Sequence, residues 1–158
     1  MKYSKTIFDI LEKNQLTFSL AESVTGGMVA SYIVGCEGAS KIFKGGVVCY
    51  NNEIKEKILN VRKFTLQKYG AISAQTAREM ALGVAKMFNT PISIAVTGIA
   101  GNEIENKPCG LNYFCILIGD FFYDYCQKLT TGDRNNKRIE ITSKIINEFA
   151  RVLLKIDK

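Results

Sequence analysis

Two spacings of apolar residues alternate along the first part of the chain. Between Ser4 and Asn14 apolar residues follow helical spacing, which predicts a helix with one buried face. From Thr17 to Ala21 apolar and polar residues alternate, which predicts a strand. Local composition adds a helix over Met28–Val34, a short β-branched strand over Gly46–Tyr50, and a helix capped by Asn51 or Asn52 that ends near Leu59.

The second part of the chain predicts a long helix, three strands and a final helix. Ser73 is a suitable N-cap for a helix to about Phe88, and Asp133 is a suitable cap for the last helix. The expected strands are Pro91–Val96, Leu111–Ile118 and Phe121–Leu129, the last two joined by a hairpin-type turn. Because helices and strands alternate first and a hairpin comes late, the expected fold class is α/β, with a mixed β-sheet sandwiched by helices.

Length and the distribution of charge limit the class of protein. The chain has 158 residues, which suits one domain over residues 1–158. Charged side chains interrupt residues 1–16, so no stretch there resembles a signal peptide. The longest strongly apolar run, Phe114–Ile118, is too short to span a bilayer. We therefore expect a cytoplasmic protein with no membrane partner.

The spacing of the cysteines, the absence of histidine and the net charge further limit the ligands and partners that we expect. The five cysteines form no CxxC pair and the chain has no histidine, so we expect reduced thiols and no metal site. The net charge is +6, but the basic residues are dispersed and acidic residues interrupt them. This pattern gives little support to a nucleic-acid partner and is equally compatible with a small anionic ligand.

The segment Ala21–Gly27 is the first candidate site, because it joins a predicted strand to a predicted helix. Ligands of α/β proteins bind at the carboxyl ends of strands, and a helix N-terminus presents free N–H groups to an anion. Thr25, Gly26 and Gly27 are therefore candidate substrate contacts. The alternative is a plain strand–helix turn in which Ser23 and Thr25 cap the helix.

The segment Gly38–Lys55 brings Ser40, Tyr50 and Lys55 within a short stretch. A hydrolase without histidine can activate a serine with a desolvated lysine as base, and a tyrosine can relay a proton. The alternative is a turn, a strand and an exposed helical lysine.

Two further segments are candidate nucleotide contacts. Thr97–Gly101 follows a buried strand, and its backbone around Thr97, Gly98 and Gly101 could line a phosphate pocket. Arg134, at the start of the last helix, could bind a phosphate or carboxylate with two hydrogen bonds. The alternatives are a tight turn and an exposed arginine beside a helix cap.

Seven motifs in this order resemble the CinA C-terminal domain family, which includes bacterial nicotinamide-nucleotide amidohydrolases. They are Ala21–Gly27, Gly38–Gly46, Tyr50–Lys55, Gly70–Ser73, Thr97–Gly101, Lys107–Gly110 and Gly132–Arg134. The resemblance covers nearly the whole chain and implies the fold of that domain. Many members carry a preceding molybdopterin-binding-type domain, so this chain resembles the stand-alone amidases.

The resemblance implies hydrolysis of the carboxamide of nicotinamide mononucleotide to nicotinate mononucleotide and ammonia, without a cofactor or a metal. It makes Ser23 and Ser40 the candidate nucleophile and a supporting hydroxyl, without separating the two. It also makes Lys55 the base, Tyr50 the hydrogen-bonding partner of Lys55, and Arg134 the contact to the nucleotide phosphate. A homo-oligomer is compatible with this assignment.

Three positions depart from the family pattern, and one of them, the loop Asn102–Asn106, keeps a second hypothesis open. Val24 and Ala39 stand where the family has Cys and Ser, and the loop Asn102–Asn106 lacks the expected Pro and paired glycines. The alternative function is a catalytically weak or inactive nucleotide-binding or regulatory domain.

Overall fold

A computed structural model describes residues 4–157, which form five strands and seven helices. The strands are β1 Phe18–Glu22, β2 Phe43–Val48, β3 Ile92–Gly98, β4 Leu111–Ile118 and β5 Phe121–Lys128. The helices are α1 Ser4–Lys13, α2 Met28–Val34, α3 Ala39–Ile42, α4 Asn52–Leu59, α5 Lys63–Tyr69, α6 Ala74–Phe88 and α7 Arg134–Ile156.

Most predicted elements are confirmed with small shifts of their ends. The main difference is β2, which begins at Phe43 rather than at Gly46. Glycines at positions 45 and 46 concealed the start of this strand, because glycine is disfavoured in strands. The short helices α3 and α5 were not predicted, since four and seven residues are too few to establish a helical period.

The five strands form one mixed sheet in the order β2-β1-β3-β4-β5. Strand β1 pairs in parallel with both β2 and β3, whereas β4 is antiparallel to β3 and to β5. All five residues of β1 are buried, as expected for a central strand covered on both faces. The predicted α/β class with a mixed sheet between helices is therefore confirmed.

Each face of the sheet carries its own apolar core. On one face, Phe18 of β1 packs against Phe149 of α7, with ring centroids 5.2 Å apart. On the other face, Ala21 of β1 belongs to a cluster with Met80 of α6 and Leu59 of α4. The period of two in β1 separates the two cores, because successive side chains of a strand point to opposite faces.

Helix α4 lies close against α6, and this fixes where its side chains reach. A Cβ atom at Gly83 of α6 would collide with the backbone carbonyl of Leu59 at the end of α4. Because β1, β2 and β3 are mutually parallel, their carboxyl ends lie at one edge of the sheet. Helix α4 begins at the same edge.

Among the described residues, no helix is both long and apolar enough to cross a membrane.

Candidate functional site

A cavity of about 360 Å³ lies at the carboxyl ends of the parallel strands. Segments that follow β1, β2 and β3 line it, together with the start of α7 and the loop after Gly101. The lining residues with polar or charged side chains are Ser23, Tyr50, Asn51, Asn52, Lys55, Thr97, Asn102, Glu105 and Arg134. The volume is at the lower end of the range for small-ligand sites.

Lys55 and Ser23 are in direct contact inside this cavity. Lys55 Nζ donates a hydrogen bond to Ser23 Oγ at 3.1 Å and to the carbonyl oxygen of Cys49 at 2.9 Å. Lys55 is 1% exposed, and no salt bridge of the described residues includes it. When Lys55 is the neutral amine, Nζ can instead accept the proton of the serine hydroxyl.

Burial lowers the pKa of Lys55, and this effect outweighs the opposing influence of Cys49 and Glu105, which raise it. An ammonium group removed from water loses its hydration, so the neutral form is favoured. Burial also raises the pKa of the Cys49 thiol to about 11, which keeps that thiol protonated. The neighbour of the amine is therefore a neutral thiol rather than a thiolate.

Local structure at the start of α4 places Lys55. Asn51 caps the helix, because its side-chain oxygen accepts a hydrogen bond from the backbone N–H of Ile54 at 2.8 Å. Asn60 ends the helix with a left-handed conformation at φ 56°. Lys55 follows the cap by about one turn and points into the cavity, which makes it a buried rather than an exposed helical lysine.

Glu22, which sequence reasoning missed, organises the turn that carries Ser23. Its carboxylate accepts hydrogen bonds from the Thr25 hydroxyl at 2.6 Å and from three backbone N–H groups, those of Gly27, Val29 and Ala30, at 2.8–3.1 Å. The chain thus supplies its own anion to the N-terminus of α2. No periodic signal distinguished Glu22, since its partners are the backbone groups of a turn.

The structure does not bring Thr25, Gly26 and Gly27 to the cavity. The expected anion position at this turn is occupied by Glu22, and Arg138 covers the outside by donating to the carbonyl of Thr25 at 2.8 Å. These three predicted substrate contacts therefore lie outside the cavity lining, in the turn that Glu22 holds.

Ser40 also lies apart from the cavity. It is an exposed residue of α3 and lines a separate surface depression. Of the two candidate serines, Ser23 alone contacts Lys55 and lines the cavity. The sequence left the two unseparated because each stands in a motif of the family pattern.

Tyr50 pairs with Arg134 rather than with Lys55. Arg134 Nη2 donates to the Tyr50 hydroxyl at 2.6 Å, and Tyr50 is 61% exposed. The two side chains line the cavity from the end of β2 and the start of α7. Gly101 allows this approach, because a Cβ atom there would lie 2.7 Å from Arg134 Nη1. The expected bond from Tyr50 to Lys55 is thus replaced by the bond from Lys55 to the carbonyl of Cys49.

The loop that departs from the family pattern forms part of the cavity wall. Residues 104–107 make a tight hairpin turn, in which Lys107 N donates to Ile104 O at 2.9 Å. Glu105 Oε1 accepts from the backbone N–H of Ala71 at 3.2 Å, and Lys107 Nζ donates to the carbonyl of Ile72 at 2.6 Å. The hydroxyl of Thr97 also contacts the segment that contains Ala71 and Ile72, because it donates to the carbonyl of Ala71 at 2.8 Å.

The candidate nucleotide contacts Thr97, Gly98 and Gly101 all line the cavity, as does Arg134. Within residues 4–157, no group of three His, Cys, Asp or Glu side chains could hold a metal ion. The chemistry that the lining offers is therefore a serine hydroxyl beside a buried amine, with one carboxylate and one guanidinium at further positions of the wall.

Comparisons with known proteins give matches along nearly the whole chain. The family model "CinA C-terminal domain" matches residues 1–153. Protein MG115 of Mycoplasma genitalium is 41% identical over 155 residues, which cover 98% of this chain and 99% of that protein. A CinA-like protein of Pseudothermotoga lettingae is 47% identical over 141 residues, which cover 88% of this chain but only 34% of that protein.

Two solved structures of CinA-related proteins superimpose on nearly the whole chain. A CinA superfamily protein from Enterobacter cloacae superimposes with a TM-score of 0.93 at 27% identity, covering 96% of this chain and 90% of the other. A competence/damage inducible protein from Agrobacterium tumefaciens superimposes with a TM-score of 0.87 at 28% identity, covering 99% of this chain and 94% of the other.

Proposed function

The chain belongs to the CinA C-terminal domain family, and from that premise we propose that it is an amidohydrolase that converts nicotinamide mononucleotide to nicotinate mononucleotide and ammonia. One observation carries the proposal: the 3.1 Å contact between Ser23 Oγ and the buried Nζ of Lys55. The substrate comes from the resemblance to nicotinamide-nucleotide amidohydrolases, whose motifs this chain carries in order.

In the proposed reaction Ser23 Oγ attacks the carboxamide carbon while Lys55 Nζ accepts the hydroxyl proton. The C–N bond of the resulting tetrahedral intermediate then breaks, and Lys55 returns the proton to the leaving nitrogen, which departs as ammonia. Water attacks the acyl-serine ester with Lys55 again as the base. The ester bond breaks, the carboxylic acid product leaves, and Ser23 regains its proton.

The charge of Arg134 supports a nucleotide rather than a free amide as substrate. Its guanidinium lines the cavity and donates a hydrogen bond to the hydroxyl of Tyr50, and no salt bridge among the described residues includes it. A phosphate can accept two parallel hydrogen bonds from such a group. Tyr50 then acts beside Arg134 in holding the nucleotide, not as a partner of the base.

A second candidate function is nucleotide binding without turnover. The observation that favours it is the wall formed by residues 102–107, where a charged hairpin replaces the Pro and paired glycines of the family pattern. Residues 102, 104 and 105 of this loop line the cavity, in which Ser23 and Lys55 are in contact. Binding of the mononucleotide without ammonia release would identify this function.

The decisive experiment measures ammonia released from nicotinamide mononucleotide by the wild-type protein and by two serine variants. We expect Ser23→Ala to abolish release, because the nucleophile is lost. Ser40→Ala is the matched control, since Ser40 is exposed and lies outside the cavity. Release that survives Ser23→Ala, or that disappears equally in both variants, would contradict the assignment of Ser23.

A further inference from the structure

Glu105 is the only acidic residue among those that line the cavity in the described part of the chain. The other charged lining groups are Lys55 and Arg134, both basic. A site that took only an anion would be weakened by a carboxylate in its wall, because like charges repel in a partly desolvated space. The presence of Glu105 therefore requires an explanation that an anionic ligand alone does not supply.

The backbone at Glu105 makes the choice of residue unusual. Glu105 and Asn106 have φ values of +54° and +57°, so both central residues of the hairpin turn are left-handed. Gly, Asn and Asp are strongly favoured in turns of this kind, and Asn106 fits that preference. A glutamate does not, so the left-handed backbone gives no reason for its presence. A residue held in a sparsely populated conformation at a cavity points to a role for its side chain.

Neighbouring groups hold the Glu105 carboxylate in one orientation. Oε1 accepts from the N–H of Ala71, and Oε2 lies 3.6 Å from Lys107 Nζ. Lys107 directs shorter hydrogen bonds to the carbonyls of Tyr69 and Ile72, at 2.8 and 2.6 Å. Oε2 lies so close to the backbone of Gly70 that a Cβ atom there would meet it. The side chain is 32% exposed, which leaves part of its charge open to a ligand.

The field of this carboxylate reaches the reacting pair. Glu105 lines the same cavity as Ser23 and Lys55, and its charge acts to raise the pKa of Lys55 against the larger lowering effect of burial. A ring whose carboxamide contacts Ser23 Oγ therefore lies within the influence of the same charge. The guanidinium of Arg134, hydrogen-bonded to exposed Tyr50, supplies the opposite charge for the phosphate.

We propose that Glu105 is a specificity-determining residue that recognises the positive charge of the pyridinium ring. The cavity is then complementary to a zwitterionic ligand, with a cationic ring near Glu105 and an anionic phosphate at Arg134. This inference rests on the proposed function, because it takes the carboxamide of the substrate to be at Ser23. The charge of the ring is retained through hydrolysis of the amide, so Glu105 contacts substrate and product alike.

The test compares two ligands that differ in the charge of the ring. Nicotinamide mononucleotide has a cationic ring, whereas its reduced dihydro form has the same carboxamide and phosphate on an uncharged ring. Dissociation constants of both are measured by calorimetry with Ser23→Ala protein, in which the proposed nucleophile is absent. The same measurement is made with Glu105→Gln and with Glu103→Gln added to that background. Glu103 is exposed in the same loop and does not line the cavity, so it is the matched control.

We expect Glu105→Gln to weaken binding of the cationic ligand about tenfold and to leave the affinity for the reduced ligand nearly unchanged. Glutamine retains an oxygen that can accept from Ala71 N, so the loop keeps its anchor while the charge is lost. Glu103→Gln should change neither affinity. Equal weakening of both ligands by Glu105→Gln would overturn the proposal and assign Glu105 a structural role.

Other outcomes separate this inference from the proposed function. Unchanged affinities in Glu105→Gln, or a background protein that binds neither ligand, would also overturn the proposal. If wild-type protein releases no ammonia but Glu105→Gln selectively weakens binding of the cationic ligand, the amidase function fails while the role of Glu105 stands. If ammonia is released but Glu105→Gln discriminates between the two ligands as its background does, the amidase function stands and the role of Glu105 fails.

Discussion

Lys55 Nζ lies 3.1 Å from Ser23 Oγ although the two residues are 32 positions apart in the chain. The contact forms because β1 and the start of α4 meet at the same edge of the sheet. Burial determines the chemistry of this contact, because the second hydrogen bond of the amine within residues 4–157 goes to a carbonyl, that of Cys49, and not to an anion.

Lys55→Arg should abolish ammonia release, because a guanidinium does not deprotonate in a protein. In the wild type, activity should rise with pH as Lys55 loses its proton. This acidic limb should lie below the ordinary lysine value of about 10.4, since burial lowers the pKa of Lys55. Lys57→Arg, at an exposed position of the same helix, is the control. Near wild-type turnover in a folded Lys55→Arg protein would exclude Lys55 as the base.

The same buried amine should make stability depend on pH. Between its lowered folded pKa and about 10.4, Lys55 binds a proton in the unfolded state but not in the native state. The free energy of unfolding of the wild type should therefore rise with pH across this window, relative to Lys55→Met, which lacks the titrating group. Urea unfolding at several pH values measures the difference. A difference between wild type and Lys55→Met that stays constant with pH would contradict the depressed pKa of Lys55.

Glu22→Gln should both destabilise the protein and lower its turnover. Glutamine has one acceptor oxygen in place of two, so a backbone N–H of α2 that now donates to the carboxylate would face an amide NH₂ group. We expect a loss of about 1–3 kcal/mol in the free energy of unfolding. Ammonia release should fall as well, because the turn carries Ser23. Glu37→Gln, at an exposed position, is the control in both assays. Equal stability of the two variants would show that the Glu22 network contributes little.

Arg134→Ala should weaken binding of nicotinamide mononucleotide more than binding of the riboside that lacks the phosphate. Hydrogen bonds to charged groups contribute about 1.5–3 kcal/mol, so the mononucleotide should lose roughly tenfold or more in affinity. Tyr50→Phe removes the hydroxyl that Arg134 contacts but keeps the guanidinium, and it should cost less. Equal losses for both ligands in Arg134→Ala would argue against a phosphate contact.

A chelator should leave ammonia release intact. In the proposed reaction Lys55 activates the serine, and no group of three metal-ligating side chains occurs within the described residues. The measurement is turnover before and after dialysis against EDTA. Activity that is lost on chelation and restored by a divalent metal would contradict the serine–lysine mechanism.

The amino-acid sequence determined what depends on near neighbours. The caps Asn51, Ser73 and Asp133 were predictable because each accepts a hydrogen bond from a backbone N–H three residues later. The alternation in β1 and the helical period of α6 likewise record which face is buried. The motifs around Ser23 and Lys55 were visible in order, and they identified the family that the comparisons confirmed.

Only the tertiary structure decided which of these residues meet. The contacts of the cavity join positions far apart in the chain: 34 residues separate Ala71 from Glu105, and 84 separate Tyr50 from Arg134. No local period encodes such pairs, because they arise from the order of the strands in the sheet. That is why Ser23 rather than Ser40 lies beside Lys55, and why Glu22 occupies the anion position expected for substrate. Burial, which gives Lys55 its lowered pKa, is likewise a property of the folded chain and not of any segment of it.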